Sequence, residues 1–517
     1  MDRKKELGSF YTPQCLADWI VKRIAAEATI QSVLEPSCGD GSFISALNYF
    51  NRFLNITAVD IDDKAVKAVT EKYSGINIYC EDFLFSDIKE KFDLIIGNPP
   101  YISKRNISQT QIEKCKSIHA LNGLKSKEIH NIWTAFVLKS CSLVNPTGII
   151  SFVLPAEFLQ VKYAKEIRDF IIKNFTRTEI LSFRNFKFDD TEQNTIILIA
   201  YKTTSKDKGL FFHEINSIDE LGDHFVFHKA KIDIDMKWTA NCLNTEELCT
   251  IHKILNNKNV KKVESYCSAV AGIVTAANSF FVLNKETVDK YKLEKYVVPI
   301  IQKGLFVNGN ICFNCNNFDK LENDNLPCFL LNLSGVSEKN FSSSLKEYLQ
   351  QGVNKEINKR YKCIRRQRWY DVPSIWYSEG FFFKRSDKYP KMLVNDCNIY
   401  VTDSAYRVQM KDGYNIKQLT YSFYNTFTLL MAEIMGRSYG GGVLELTPNE
   451  FKNLPLVYIN EKINFSKFSK QFSEKKDITD ILQKNDEYIL KKVLKLTEKE
   501  ILLLQTAYDR IRKRRLL

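Results

Sequence analysis

The chain has 517 residues, more than one hydrophobic core usually organises, so two or three domains are expected. Apolar residues make up 44% and charged residues 26%, which excludes a disordered chain, and 74 Lys and Arg against 61 Asp and Glu leave a net charge of +13 that favours a polyanionic partner. No run nears the roughly 18–20 apolar residues of a membrane span, the N-terminus lacks the apolar stretch of a secretory signal, and 13 irregularly spaced cysteines do not read as a disulfide framework, so a reducing cytoplasm is expected.

In chain order, short β-branched runs predict strands at Ser32–Leu34, Ile56–Ile61, Asn77–Cys80, Phe92–Ile96, Gly148–Leu154, Thr178–Ser182 and Thr195–Tyr201. Helical patterns at Ser42–Phe53, Asp63–Tyr73, Asn131–Leu143 and Ala164–Phe175 alternate with them. That alternation implies an α/β domain with a mostly parallel sheet. The last two strands follow one another with no helix between, which predicts a terminal antiparallel pair. Seven strands with that ending resemble the architecture of the Rossmann-like methyltransferases, which periodicity alone does not distinguish from other α/β sheets. The rhythm breaks after about Lys202. A catalytic domain is expected over 1–225, a mixed α+β domain over 240–460 and a helical segment over 461–517, whose basic run Arg510–Arg515 reads as a solvated helix end.

Glu35-Pro36-Ser37-Cys38-Gly39-Asp40-Gly41 runs from the first strand into a helix, and its glycines permit close approach of backbone to a ligand. Asp60 ends the second strand, where a carboxylate accepts the two hydroxyls of a ribose. Asp82-Phe83 follows the third, where an acid suits an adenine amino group and a ring suits the base. Each Asp taken singly is more often a turn or cap residue. Three consecutive strand ends on the carboxyl edge of an open sheet form the place where such sheets bind ligands. No Walker lysine follows the glycines, G-x-G-x-x-G is incomplete, and Glu35 and Asp40 make the loop acidic. A cationic ligand such as S-adenosyl-L-methionine fits it better than a pyrophosphate.

Asn98-Pro99-Pro100-Tyr101 closes the fourth strand. Paired prolines fix the backbone and present their neighbours rigidly. The Asn98 side-chain oxygen and the Pro99 carbonyl could accept both protons of an amino group conjugated to an aromatic ring. That favours its pyramidal, nucleophilic form and stabilises the charge developing on nitrogen. Tyr101 offers a ring for stacking, worth about 1–3 kcal/mol per base. A plain proline-rich turn is the blander reading of the tetrad.

With these motifs in order, residues 1–205 resemble the gamma-class DNA adenine-N6 methyltransferases of Type II restriction–modification systems. Gly8-Ser9-Phe10-Tyr11-Thr12-Pro13 is similar to that family's N-terminal motif, and the large variable region lies C-terminal to Asn-Pro-Pro-Tyr as it does there. The resemblance implies that Thr12, Glu35, Asp60, Asp82 and Phe83, with Pro36, Gly39 and Gly41 of the loop, hold the cofactor. It implies that Asn98, Pro99, Pro100 and Tyr101 act on a flipped adenine, with Phe188 as second stacking face and Phe186 as its competitor. It further implies a monomeric cytoplasmic enzyme of a prokaryotic cell, acting on a short double-stranded DNA target and paired with a separate restriction endonuclease. No Pro-Asp dipeptide occurs, so a strict PD…(D/E)xK nuclease site is not expected. The alternatives are an Asn-Pro-Pro-Tyr enzyme acting on RNA guanine or a release-factor glutamine, an orphan regulatory DNA methyltransferase, and a non-enzymatic DNA-binding module on the same fold. The long C-terminal region favours DNA.

Lys355–Lys391 carries eleven Lys and Arg against four carboxylates, interleaved with aromatics. Arg365, Arg366, Arg368, Lys384, Arg385 and, further on, Arg437 are its DNA-binding candidates. A charged surface over an aromatic core is the blander reading. Gly272–Asn278 and Arg437–Gly442 are similar to segments recurring in the recognition domains of that family. Cys312-x-x-Cys315 has no partner pair at zinc spacing, and the 6 histidines form no ligand array, so no metal site is expected.

Overall fold

The computed structural model describes residues 11–125, 128–187, 194–222, 225–230, 238, 243–439 and 442–516. The chain divides into two compact units, Met1–Cys242 and Leu243–Leu516.

The first unit holds strands β1 (Ser32–Glu35), β2 (Asn55–Asp60), β3 (Asn77–Cys80), β4 (Phe92–Gly97), β5 (Val144–Pro155), β6 (Arg177–Lys187), β7 (Asn194–Tyr201), β8 (Gly209–Ile215) and β9 (His228–Lys229). They form one sheet in the order β3-β2-β1-β4-β5-β7-β6-β8-β9. β3 through β5 run parallel, and β7 lies antiparallel between β5 and β6. This is the Rossmann-like sheet expected from the sequence, extended by two strands. β8 joins β6 in parallel and β9 closes the edge, so the sheet has nine strands where seven were predicted. β8 escaped notice because it lies beyond the break in rhythm at Lys202.

Period-2 alternation explains why these short runs become buried strands. Leu34, Ile95, Phe152, Leu154, Ile196 and Leu198 face one layer, whereas Val33, Leu94, Ile96, Val153, Ile197 and Ile199 face the other. Helix α5 (Trp133–Leu143) fills the first layer with Trp133, Phe136 and Val137. Helices α1 (Gln14–Ala25) and α2 (Ser42–Phe50) cover the second, α1 through Leu16, Ile20 and Ile24 on one helical stripe. Each such side chain, fully buried, contributes about 1.5–3 kcal/mol. The unit also contains α3 (Asp63–Lys72), α4 (Gln109–Leu121) and α6 (Lys165–Asn174). It continues past residue 225, because Trp238 buries its ring against Phe158 and Phe212.

The second unit contains a five-stranded sheet in the order 267–271, 405–410, 380–383, 391–395 and 312–313, with three smaller sheets and flanking helices. Residues 461–516 belong to this unit and do not stand apart. The basic tail is not a solvated helix end. Arg515 donates to both carboxylate oxygens of buried Glu433, at 2.8 Å each, and Arg510 pairs with buried Glu247 at 2.6 Å. Cys315 is bonded to Cys397, a pairing the spacing of 82 residues gave no reason to expect. Parallel pairing sets Phe313 opposite Asn395, which brings the two cysteines just beyond together.

Candidate active site

The loop after β1 owes its shape to two glycines in the left-handed region, Gly39 at φ +51° and Gly41 at φ +79°. A side chain at Gly39 would also meet the Tyr11 ring at 3.0 Å, and Gly41 supplies the N-cap of α2. Asp60, at the end of β2, accepts from the Gly39 N–H with one oxygen and the Asp62 N–H with the other, at 2.8 Å each. Asp60 therefore ties its own loop to the glycine loop.

Tyr11, Thr12, Glu35, Pro36, Gly39, Asp60, Asp82, Phe83, Asn98 and Pro100 line one cavity at the carboxyl edge of the sheet. Gly41, Pro99 and Tyr101 adjoin these lining residues in the chain, and Tyr101 is partly exposed. The Thr12 hydroxyl and Glu35 Oε2 are buried with no hydrogen-bond partner among the described residues. A folded chain rarely leaves such atoms unpaired, so an acceptor pair of this kind fits a cationic, hydrogen-bonding ligand. Burial, reinforced by Asp40 and Asp60, holds the Glu35 carboxyl well above the usual carboxylate range. Burial raises Asp60 as well, against the opposing pull of its backbone N–H donors.

Asp82 accepts from Leu84 N–H and from the Gln111 amide, both at 2.9 Å. Gln111 comes from the capping box of α4, where it also serves Ser108. Neither its position nor its role was legible, although Ser108-x-x-Gln111 is a helix-start signature. Phe83 packs on Phe136 with ring centroids 5.4 Å apart. Lys139 of α5 donates to Ser86 O at 2.8 Å and Ser86 Oγ at 2.9 Å, and also to Phe83 O, clamping the loop that carries Asp82. Burial lowers this lysine to about 8. Phe136 and Lys139 were missed because only the folded helix turns them toward that loop.

At the end of β4, Ser37 Oγ donates to the Asn98 carbonyl at 3.0 Å, joining the glycine loop to the tetrad. The Tyr101 hydroxyl donates to Val153 O at 2.9 Å, and its ring packs against the core layer of α5. Phe188 lies outside the described residues, and Phe186 lies on β6.

Residues 42–188 match the family model for the Eco57I restriction-modification methylases, and residues 235–490 match that for the C-terminal domain of the Type II methyltransferase M.Eco57I. The chain belongs to this family of restriction–modification methylases. It is 27% identical over 480 residues to the Type II methyltransferase M.AccI of Acinetobacter calcoaceticus, covering 87% of this chain and 85% of that one. Over 493 residues it is 22% identical to the Type II methyltransferase M.BanIII of Aneurinibacillus aneurinilyticus, covering 80% and 82%. In fold it is similar to the chain in a cryo-EM structure of a DrdV–DNA complex, with TM-score 0.51 and 13% identity over 91% of this chain. It spans 57% of that longer chain.

In this methylase the basic candidates of the second unit separate into two kinds. Arg366 donates to the carbonyls of Val274 (3.2 Å) and Thr275 (2.7 Å), and Arg368 holds Asp371 through both oxygens and Leu333 O besides. Arg437 pairs with Glu450 at 3.1 Å and Arg385 with Glu445 at 2.7 Å. All four are engaged with groups of their own unit, Arg385 in an exposed pair. Arg365 is exposed, with its guanidinium 4.0 Å from the Tyr361 ring centroid, and Lys384 is half-buried. Among the described residues no group of three His, Cys, Asp or Glu could hold a metal ion, and no helix is long and apolar enough to cross a membrane.

Proposed function

We propose that this methylase transfers a methyl group from S-adenosyl-L-methionine to N6 of an adenine in a short double-stranded DNA target, as the modification partner of a separate restriction endonuclease. The observation that carries the reading is the single cavity shared by the three strand-end acids, the unpaired Thr12 and Glu35 oxygens and the Asn98–Pro100 turn. Bound there, the cofactor supplies an electrophilic methyl group on a sulfonium centre. Glu35 and Thr12 hold its charged amino-acid end, Asp60 its ribose and Asp82 with Phe83 its adenine.

Asn98 Oδ1 and the Pro99 carbonyl accept the two amino protons of the target base. With both protons held, the nitrogen lone pair withdraws from the ring and becomes nucleophilic, and the same oxygens stabilise the positive charge that develops there. Pro99 and Pro100 fix the acceptors in advance, so little reorganisation accompanies the reaction. An adenine inside a duplex cannot reach a recessed cavity, so the base is extruded at a cost of a few kcal/mol. Stacking on Tyr101 and Phe188 offsets part of that cost. The second unit supplies target recognition.

The test is tritium transfer from labelled S-adenosyl-L-methionine to unmethylated genomic DNA, with chromatography of the digested nucleosides. Label in N6-methyladenine is expected. Label in cytosine, in RNA or in a release factor instead would overturn the substrate assignment.

A further inference from the structure

In the second unit, the chain from Lys359 to Arg365 forms a small exposed tip that contains a one-turn helix, Tyr361–Ile364. Cys363 and Ile357 are fully buried and anchor it, whereas Tyr361 and Ile364 are 66% and 64% exposed. Lys359, Arg360, Lys362 and Arg365 surround those two apolar groups, all exposed. An exposed ring and aliphatic side chain ringed by cations fit a partner that combines negative charge with small apolar contact points, as duplex DNA does with its phosphates and the methyl groups on its base edges. A membrane surface would ask for a longer amphipathic stripe than this one-turn helix offers.

The adjoining groove is lined by Val274–Asn278, Arg360, Tyr361, Lys362 and Asp403. Its wall is held in place by the protein. Arg366 binds the carbonyls of Val274 and Thr275, and Arg360 binds that of Ala276 at 3.1 Å. Ala276 sits at φ +69°, a left-handed conformation that costs a non-glycine residue on the order of 1 kcal/mol and persists only where its surroundings enforce it. Asp403 brings a carboxylate into this otherwise basic groove. A carboxylate opposes phosphate, but it accepts a hydrogen bond from the amino group of a base.

Resting on the proposed DNA methylation, we infer that this tip and groove read base edges of the target, with Arg365 donating to guanine and Asp403 accepting from the cytosine amino group of a G·C pair. Of the arginines singled out in the basic region, Arg365 is the one whose guanidinium is exposed and, among the described residues, held by an aromatic ring alone. Stacking on Tyr361 orients its donors without consuming them.

The test compares wild type, Arg365→Ala, Asp403→Asn and Lys362→Ala, after the wild-type target has been mapped by sequencing methylated DNA. Arg365→Ala is expected to lower affinity for target DNA about 10- to 100-fold, leave random DNA nearly unaffected, and relax the methylated motif at a G·C position. Asp403→Asn should relax the same position. Lys362→Ala should weaken target and random DNA alike, with a shallower salt dependence. An unchanged motif in Arg365→Ala, or equal losses on target and random DNA, overturns the inference. Failure of the wild type to methylate DNA while binding the cofactor would instead overturn the reading on which it rests, before any variant is compared. Thermal melting of each variant checks that the fold is intact.

Discussion

The cofactor edge of the first unit and the basic region of the second are both dense in charge, yet the chain treats their polar groups in opposite ways. At the edge, Glu35 and Thr12 are sealed from water and left with unpaired oxygens. In the basic region, Arg366, Arg368, Arg385 and Arg437 are spent on carbonyls and carboxylates of their own unit. A buried polar atom without a partner costs folding free energy, and these two line a cavity where a ligand could pair them. The four arginines are instead paired within their own unit. Motif order pointed to the first region. Composition alone did not separate paired from open cations in the second.

The contrast can be broken at several points. Glu433→Ala, which strands Arg515 in a buried site, should cost about 3–5 kcal/mol of stability in denaturant unfolding, the largest effect expected. Asn98→Ala should lower kcat about 100- to 1000-fold while leaving cofactor affinity nearly unchanged by calorimetry. Full activity would remove Asn98 from the chemistry. Asp60→Ala should weaken cofactor binding by about 10- to 100-fold, the loss of charge-assisted hydrogen bonds together with the anchor of the glycine loop.

Glu35 gives a pH signature. Its carboxyl lies above the ordinary range without ligand, so the cofactor-free fold binds a proton that the unfolded chain releases. Its contribution to stability is present below the ordinary carboxylate value and is lost as pH rises through the raised one. A cationic ligand favours the ionised form. Cofactor binding should therefore release up to about one proton and tighten as pH rises toward that raised value. Calorimetry in buffers of different ionisation enthalpy measures this, and Glu35→Gln should abolish it. At the small end, Arg385→Ala breaks an exposed pair and should change stability by no more than about 1 kcal/mol.

By itself the sequence determined the α/β class, the strands from β1 to β7 and the acids and tetrad at the carboxyl edge, because buried parallel strands need uninterrupted apolar runs and their ends need turn residues. All of that is local in the chain. The tertiary structure alone decided the added strands β8 and β9, the Gln111 and Lys139 contacts behind Asp82, the Cys315–Cys397 bond and the burial of Arg515. It also decided which arginines are paired within their own unit. Each of these joins residues far apart in sequence, and a side chain's partners are fixed by packing that no local pattern encodes.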